Sequence, residues 1–477
     1  MSRRLTRRAF VTLCVALMAT GCSPTVMDGH PISMVYDPER VAGLPAADGP
    51  SGVRAGAPPA IGRAIGTNGG DNDRLVLLAL NDIQEFWGSH YLPEWPGRFT
   101  PVISLISYDS NDPLSSEVCG HSAYGDVNAF FCPSDDSMAW DRGVLIPGAR
   151  RFYGDISVPA VLAHEYGHSI QNQAQLIGED SVTLIREQQA DCFSGAYMRW
   201  VAEGHSHRFT MSTTDGLDHV LAGALYLRDA PGDVANPDDG HGSALDRLGA
   251  FQKGFERGPQ DCAGIDGNEI RQRQRGLPAM EGDDADGETS IDNDSLSTLM
   301  ELLGHVFHLD NPPALVVGGG DGCTDAKPSP PASYCPSTNT INLDLPALQQ
   351  LAKVEDNRTT EHILQGDDTA FSMVTSRYAL AVEHERGVSL NTQQAALRTA
   401  CLTGLAQKEM ARPIKLPSGK ALVLSAGDLD EAVSGLLTNR LVASDVNGVS
   451  VPAGFTRIAA FRSGLIGDGD KCYEVFP

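Results

Sequence analysis

Eight cysteines of this chain form two sets of four, Cys119, Cys132, Cys192 and Cys262, then Cys323, Cys335, Cys401 and Cys472. The second set follows the first at offsets of 204, 203, 209 and 210 residues. A nearly constant offset held over four positions marks a segment written twice, so the chain is expected to fold as two copies of one unit. The text between the cysteines agrees. Cys132-Pro133-Ser134 is answered by Cys335-Pro336-Ser337, Trp140-Asp141 by Leu343-Asp344, and Cys192-Phe193-Ser194-Gly195 by Cys401-Leu402-Thr403-Gly404. Arg247 and Phe251 are answered by Arg457 and Phe461, and an opening helix over Asp73 to Phe86 by another over Asp294 to Phe307. Each copy has a near and a far cysteine pair. In an oxidising compartment this predicts bridges Cys119–Cys132, Cys192–Cys262, Cys323–Cys335 and Cys401–Cys472, and no C-x-x-C argues for a metal instead.

The first copy alone carries a chemical motif, His164-Glu165-Tyr166-Gly167-His168, which reads H-E-x-x-H. Residues four apart share a helix face, so His164 and His168 can grip one metal ion, with Glu165 placed to take a proton from water held there. Ser157-Val158-Pro159 offers an N-cap hydroxyl and an early proline for that helix. A catalytic zinc needs a third protein ligand and an open position. Glu187 is the candidate, on a second helix over Ser181 to Ala202 with apolar Val182, Ile185, Phe193, Ala196, Tyr197 and Val201 broadly on one side. Asp191, one turn further, is placed to fix the tautomer of a ligand imidazole. The pattern predicts one Zn2+ per chain and hydrolysis.

With Cys119-Gly120, Phe131-Cys132-Pro133, the E-x-x-A-D-Cys192 run, His241-Gly242-Ser243 and the Phe251, Phe255, Cys262 tail, residues 73–262 resemble the bacterial neutral zinc metallopeptidases. The resemblance implies a zincin-like, gluzincin-type site: His164, His168 and Glu187 on zinc, with Glu165 as general base. It implies the chemistry and leaves the peptide or protein substrate open. Two other readings compete, a non-enzymatic envelope scaffold with a structural zinc and a hydrolase of peptidoglycan stem peptides. A structural zinc would call for a fourth protein ligand, and none is evident near His164 and Glu187.

The second copy has lost the motif. At an offset of 212, His164 to His168 falls on Ser376-Arg377-Tyr378-Ala379-Leu380, while Glu187 falls on Ala396 and Asp191 on Ala400. His241, facing Val451 in this comparison, is a candidate for holding a substrate carbonyl or oxyanion, a structural role in its loop being the alternative. His384-Glu385 reads as a broken motif, with Val388 where a second histidine would stand, and His305 and His308 as an ordinary helix face.

Residues 1–21 read as a leader, with Arg7-Arg8 in a twin-arginine-like context ahead of an apolar run from Ala9 to Ala19. Ala19-Thr20-Gly21-Cys22 resembles a lipobox and predicts lipidation of Cys22, export, and a place on the outer face of the cell membrane. A net charge of −25 over 477 residues excludes nucleic acid as a natural partner. The expected organisation is a flexible Pro/Gly/Ala-rich tether over 22–72, a peptidase unit over 73–262, an acidic linker over 263–293, and an inactive copy over 294–477. The expected fold is α+β with helices dominant. Strands are predicted over Val102 to Tyr108, Ser137 to Asp141 and Thr340 to Leu343, and later helices over Leu217–Arg228 and Leu245–Phe255.

Overall fold

The computed structural model describes residues 26–27, 30–31, 37–115, 117–178, 181–226, 240, 242–278, 288–319, 322–353, 365–425 and 427–477. The leader, Cys22, residues 231–239 and His241 lie outside the described residues. Among the described residues no helix is long and apolar enough to cross a membrane.

Helix α1 (Asp71–His90) opens the first half and buries Leu75 to Leu80, Ile83, Phe86 and Trp87. The strands of the larger sheet follow, β1 (Ser104–Tyr108), β2 (Ala129–Cys132) and β3 (Ser137–Asp141). The central strand β3 pairs parallel with β1, with Ser137 opposite Ser104, and antiparallel with β2, with Ser137 opposite Cys132. Asp141 ends β3 by accepting hydrogen bonds from the amides of Gly143, Val144 and Leu145 (2.8, 3.1 and 3.0 Å), which turns the chain into α2 (Leu145–Tyr153). Then come α3 (Ser157–Gln173), α4 (Thr183–Ala202), α5 (Asp215–Tyr226) and α6 (Ala244–Arg257).

The expected helices and strands are all present among the described residues, with ends shifted by no more than four residues; the expected end of the Leu217–Arg228 helix, residues 227–228, lies outside them. Ser157 behaves differently from its expected cap role. Its hydroxyl donates to the carbonyls of Ala149 (3.1 Å) and Gly154 (2.8 Å), tying α3 to α2 instead of accepting from the first turn of α3. Residues 37–70, expected as part of the tether, lie against the fold. Val41 and Ala64 are buried, Val53 pairs with Phe209, and Ile65 bridges Ile106. The expected linker over 263–293 is also structured at its start, where Asp266 caps α7 (Gly267–Gln274) and Ile265 and Ile270 enter the core.

The second half runs α8 (Asn293–Phe307), β4 (Ala314–Val317), β5 (Ala332–Cys335), β6 (Thr340–Leu343), α9 (Leu345–Leu351), α10 (Asp367–Glu385), α11 (Gln393–Met410), α12 (Asp428–Thr438), α13 (Gly454–Ile466) and α14 (Gly469–Val475). Its sheet has the same pattern as the first: β6 is central, parallel to β4 and antiparallel to β5. Helix α4 packs on α6 and α11 on α13 by the same device. A Cβ on Gly195 would strike the carbonyl of Phe251, and one on Gly254 that of Cys192; Gly404 and Gly464 stand likewise against Phe461 and Cys401. All four expected cysteine pairs lie at disulfide distance, with Cα separations of 5.6, 5.4, 5.6 and 5.7 Å in chain order.

One hydrophobic core runs through both halves. Phe455 of α13 packs its ring 6.2 Å from Phe251 and 5.5 Å from Phe255, both on α6. Arg457 is fully buried and donates to Asp218 of α5 at 2.5 Å. Arg440 also reaches Asp218, at 2.9 Å, so the buried carboxylate of the first half is neutralised by two guanidinium groups of the second, and removing both would strand its charge away from water.

Candidate metal centre

Helices α3 and α4 cross closely at the motif. A Cβ on Gly167 would lie 3.0 Å from Cα of Ala190, so glycine in the motif and alanine opposite let the two backbones approach. That approach carries Glu187, one turn before Ala190, to the two histidines. His164 Nε2 lies 3.1 Å from Glu187 Oε2, and His168 Nε2 lies 3.6 Å from Glu187 Oε1. One donor atom from each of the three residues falls within 4.8 Å of the others. The two imidazoles stand edge to face, 5.1 Å apart at 89°.

Each remaining ring nitrogen has a partner. His164 Nδ1 meets Asp191 Oδ1 at 2.7 Å, and His168 Nδ1 meets Gln171 Oε1 at 2.9 Å. Acceptors on both Nδ1 atoms hold a proton there, so a metal ion taking the place of the Nε2 protons would meet the two Nε2 lone pairs. Asp191 is held in turn by Arg247 of α6, which donates through Nε (2.9 Å) and a terminal nitrogen (2.7 Å). Gln171 is anchored by donating to the Arg186 carbonyl (2.6 Å) and to Gln189 (3.1 Å). Arg247 and Gln171 were not expected at the site. Arg247 was legible only as a residue common to both halves; for Gln171 the signal was its place one turn beyond His168.

The electrostatics fit a cation. Burial opposes charge on His164, yet Asp191, Glu187 and Glu165 outweigh it and hold the imidazole pKa up to about 10. His168 is raised as well, with burial opposed by Glu187 and Glu165. Burial would raise Glu187, but hydrogen bonds to both histidines bring it well below the usual carboxylate range. Asp191 is likewise opposed by burial and brought down to about 2 by Arg247 and His164. Two buried carboxylates, Glu187 and Asp191, and the partly buried Glu165 thus surround the imidazoles together with the buried Arg247 guanidinium. Two imidazole nitrogens and a carboxylate oxygen at these separations are the donors zinc takes, with a position left over.

Glu165 points toward the same space, its Oε1 4.0 Å from His164 Nε2, and burial raises its pKa. The site opens into a cavity of about 980 Å³ lined by His164, Glu165, His168, Glu187 and Arg186 with residues 128–131 of the sheet. Strand β2 is an edge strand, paired only with β3 among the described residues. In the second half α10 carries Ser376, Arg377 and Leu380 at the positions that the 212-residue offset sets against His164, Glu165 and His168. His384 instead meets the Tyr334 hydroxyl at 2.8 Å, and His308 ends α8 in a left-handed conformation.

Proteins described as uncharacterized, one from Mycobacterium bovis and one from each of two strains of Mycobacterium tuberculosis, are each 27% identical to this chain over 221 residues. The matches cover 41% of this chain and 72% of each relative. No solved structure matches. Residues 36–265, which include His164, His168 and Glu187, match the family described as "Putative neutral zinc metallopeptidase".

Proposed function

We propose that this protein is a zinc-dependent metallopeptidase of the cell envelope, with one zinc per chain held by His164, His168 and Glu187. The observation that carries the reading is the convergence of those three donors beside Glu165, in a cavity bordered by a strand edge. Bound zinc would supply a Lewis acid that polarises a carbonyl and makes water acidic enough to lose a proton near neutrality. Glu165 accepts that proton, its raised pKa suiting it to hold the proton and then deliver it to the departing amine nitrogen. Asp191 and Gln171 keep the imidazoles in the tautomer that presents Nε2. The free edge of β2 offers backbone donors and acceptors to an extended peptide, which favours peptides over compact substrates.

The reading includes a tandem duplication in which the second half keeps the packing and has lost the chemistry. Matching sheet patterns, matching glycine contacts and matching cysteine pairs support it. Helix α12 supports α6 directly, since Asp430 accepts from the Ala244 amide at 3.0 Å at the start of the helix that carries Arg247. The role given to the second half is to brace the active-site helices. Replacing Glu165 with Gln should leave zinc bound and lower peptide hydrolysis by about 10³-fold, because only the base is lost. Metal analysis and a peptide-library assay check this, and two zinc ions per chain or full activity in the variant would sink it.

Lipidation of Cys22 and residence at the outer face of the membrane are part of the same proposal, resting on the leader and lipobox pattern. Fractionation of cells expressing Cys22→Ala should move the protein from membrane to soluble fractions. Equal solubility of both forms would refute the anchor.

A further inference from the structure

The second half gathers five carboxylates that the peptidase reading leaves unused. Glu288 precedes α8, Asp367 and Asp368 begin α10, and Asp428 and Glu431 lie in the first turn of α12. One oxygen from each of Glu288, Asp367 and Glu431 lies within 4.8 Å of the others. Local hydrogen bonds set the geometry. The Asp367 amide donates to Glu288 Oε2 (3.2 Å), the Asp368 amide to Glu431 Oε2 (3.0 Å), and the Thr289 amide to Asp367 Oδ2 (2.6 Å). Gln407 donates to Asp368 Oδ1 (2.7 Å), and Ser425 holds both oxygens of Asp428. The Glu431 carboxylate lies close against Gly366, where a Cβ would displace it.

These bonds leave acceptors over. Asp367 and Asp368 are 3% and 0% exposed, yet Asp367 Oδ1 and Asp368 Oδ2 are buried with no hydrogen-bond partner. A buried anionic oxygen without a partner is costly, and two of them in one acidic cluster call for a cation. The charges acting on the group are mostly one another's. Burial first, then Glu288, Asp428, Asp368 and Asp367, push Glu431 up to about 10, and burial and Asp367 push Asp428 up to about 7.

We propose that Glu288, Asp367 and Glu431 ligate one Ca2+, with Asp368 and Asp428 at its margin, and that this ion ties the segment before α8 to α10 and α12. The donors are all hard oxygens, with no nitrogen or sulfur to favour zinc. Calcium holds oxygens at about 2.3–2.6 Å, so two of its ligand oxygens stand at most about 5 Å apart, as here. The ion would order the helix whose Asp430 caps α6. It is independent of the zinc reading, since no ligand is shared.

The test uses the full chain stripped of divalent ions and titrated with Ca2+ alone by calorimetry and by thermal melting. One Ca2+ per chain and a rise in melting temperature of about 5 °C at saturating calcium are expected. His164→Ala should bind Ca2+ as the wild type does, so a failed zinc assignment would not mimic a failed calcium site. A chain carrying Asp367→Asn and Glu431→Gln should bind no Ca2+. Without calcium it should melt at or above the ion-free wild type, because repulsion has been relieved, which separates loss of the site from loss of the fold. No uptake by the wild type at millimolar Ca2+, equal uptake by the double variant, or an equal response to Mg2+ would overturn the proposal.

Discussion

At the scale of single residues, the candidate metal centre depends on groups outside the set of His164, His168 and Glu187. Arg247 holds Asp191, and Asp191 holds His164, so a guanidinium on α6 sets the orientation of an imidazole on α3. Replacing Arg247 with Met is expected to weaken zinc binding about 10–100-fold, as loss of an outer partner generally does. It should also destabilise the fold by about 3 kcal/mol, because the buried Asp191 loses its countercharge. Zinc titration against a fluorescent chelator and chemical denaturation check the two effects, and unchanged zinc affinity would show that Asp191 orients the imidazole unaided. His164, Glu165, His168 and Glu187 were readable from spacing, because a helix converts intervals of four into one face. Arg247 lies 56 residues beyond Asp191. No periodicity links them, so only packing could pair them.

At the scale of elements, the close crossings decide the geometry. Helices α4 and α6 meet where Gly195 and Gly254 each face a carbonyl, and α11 and α13 meet the same way at Gly404 and Gly464. Gly254→Ala is expected to push α6 away from α4 and destabilise the protein by about 1–3 kcal/mol, and to weaken zinc through Arg247. Gly464→Ala should cost a similar amount while leaving zinc affinity intact. Denaturant midpoints and zinc titration on both variants decide this; equal effects on zinc would mean that the two crossings are not separately coupled to the site. Cysteine spacing indicated which segments lie together, one near pair and one far pair in each half. The N-cap expected at Ser157 is absent because the helix starts at Ser157 itself, with Ile156 at the cap position, and the Ser157 hydroxyl turns back to the carbonyls of Ala149 and Gly154.

At the scale of the whole molecule, the halves share one core instead of hanging on a linker. Phe455 fills the space beside Phe251 and Phe255, and Arg457 neutralises Asp218 in the other half. A chain ending near residue 290 should therefore melt well below the full protein and change its peptide preference, because apolar rings are exposed and a buried aspartate is left unpaired. Calorimetry and a peptide-library assay compare the two. The same melting temperature and the same cleavage pattern would make the second half an independent module.

The sequence by itself determined the local matters: which residues form helices, which four pairs of cysteines meet, and which face of α3 carries His164 and His168. These follow from periodicity and from spacing repeated in both halves, and both are properties of the chain read in order. Tertiary structure alone decided that residues 37–70 lie on the fold, that Arg247 and Gln171 complete the site, and that Asp430 and Phe455 brace it from the other half. Those contacts join residues far apart in the chain through close packing of helix on helix. Composition carries no record of such contacts: a Pro/Gly-rich segment reads as a tether until a buried Val41 shows that it has a surface to lie against.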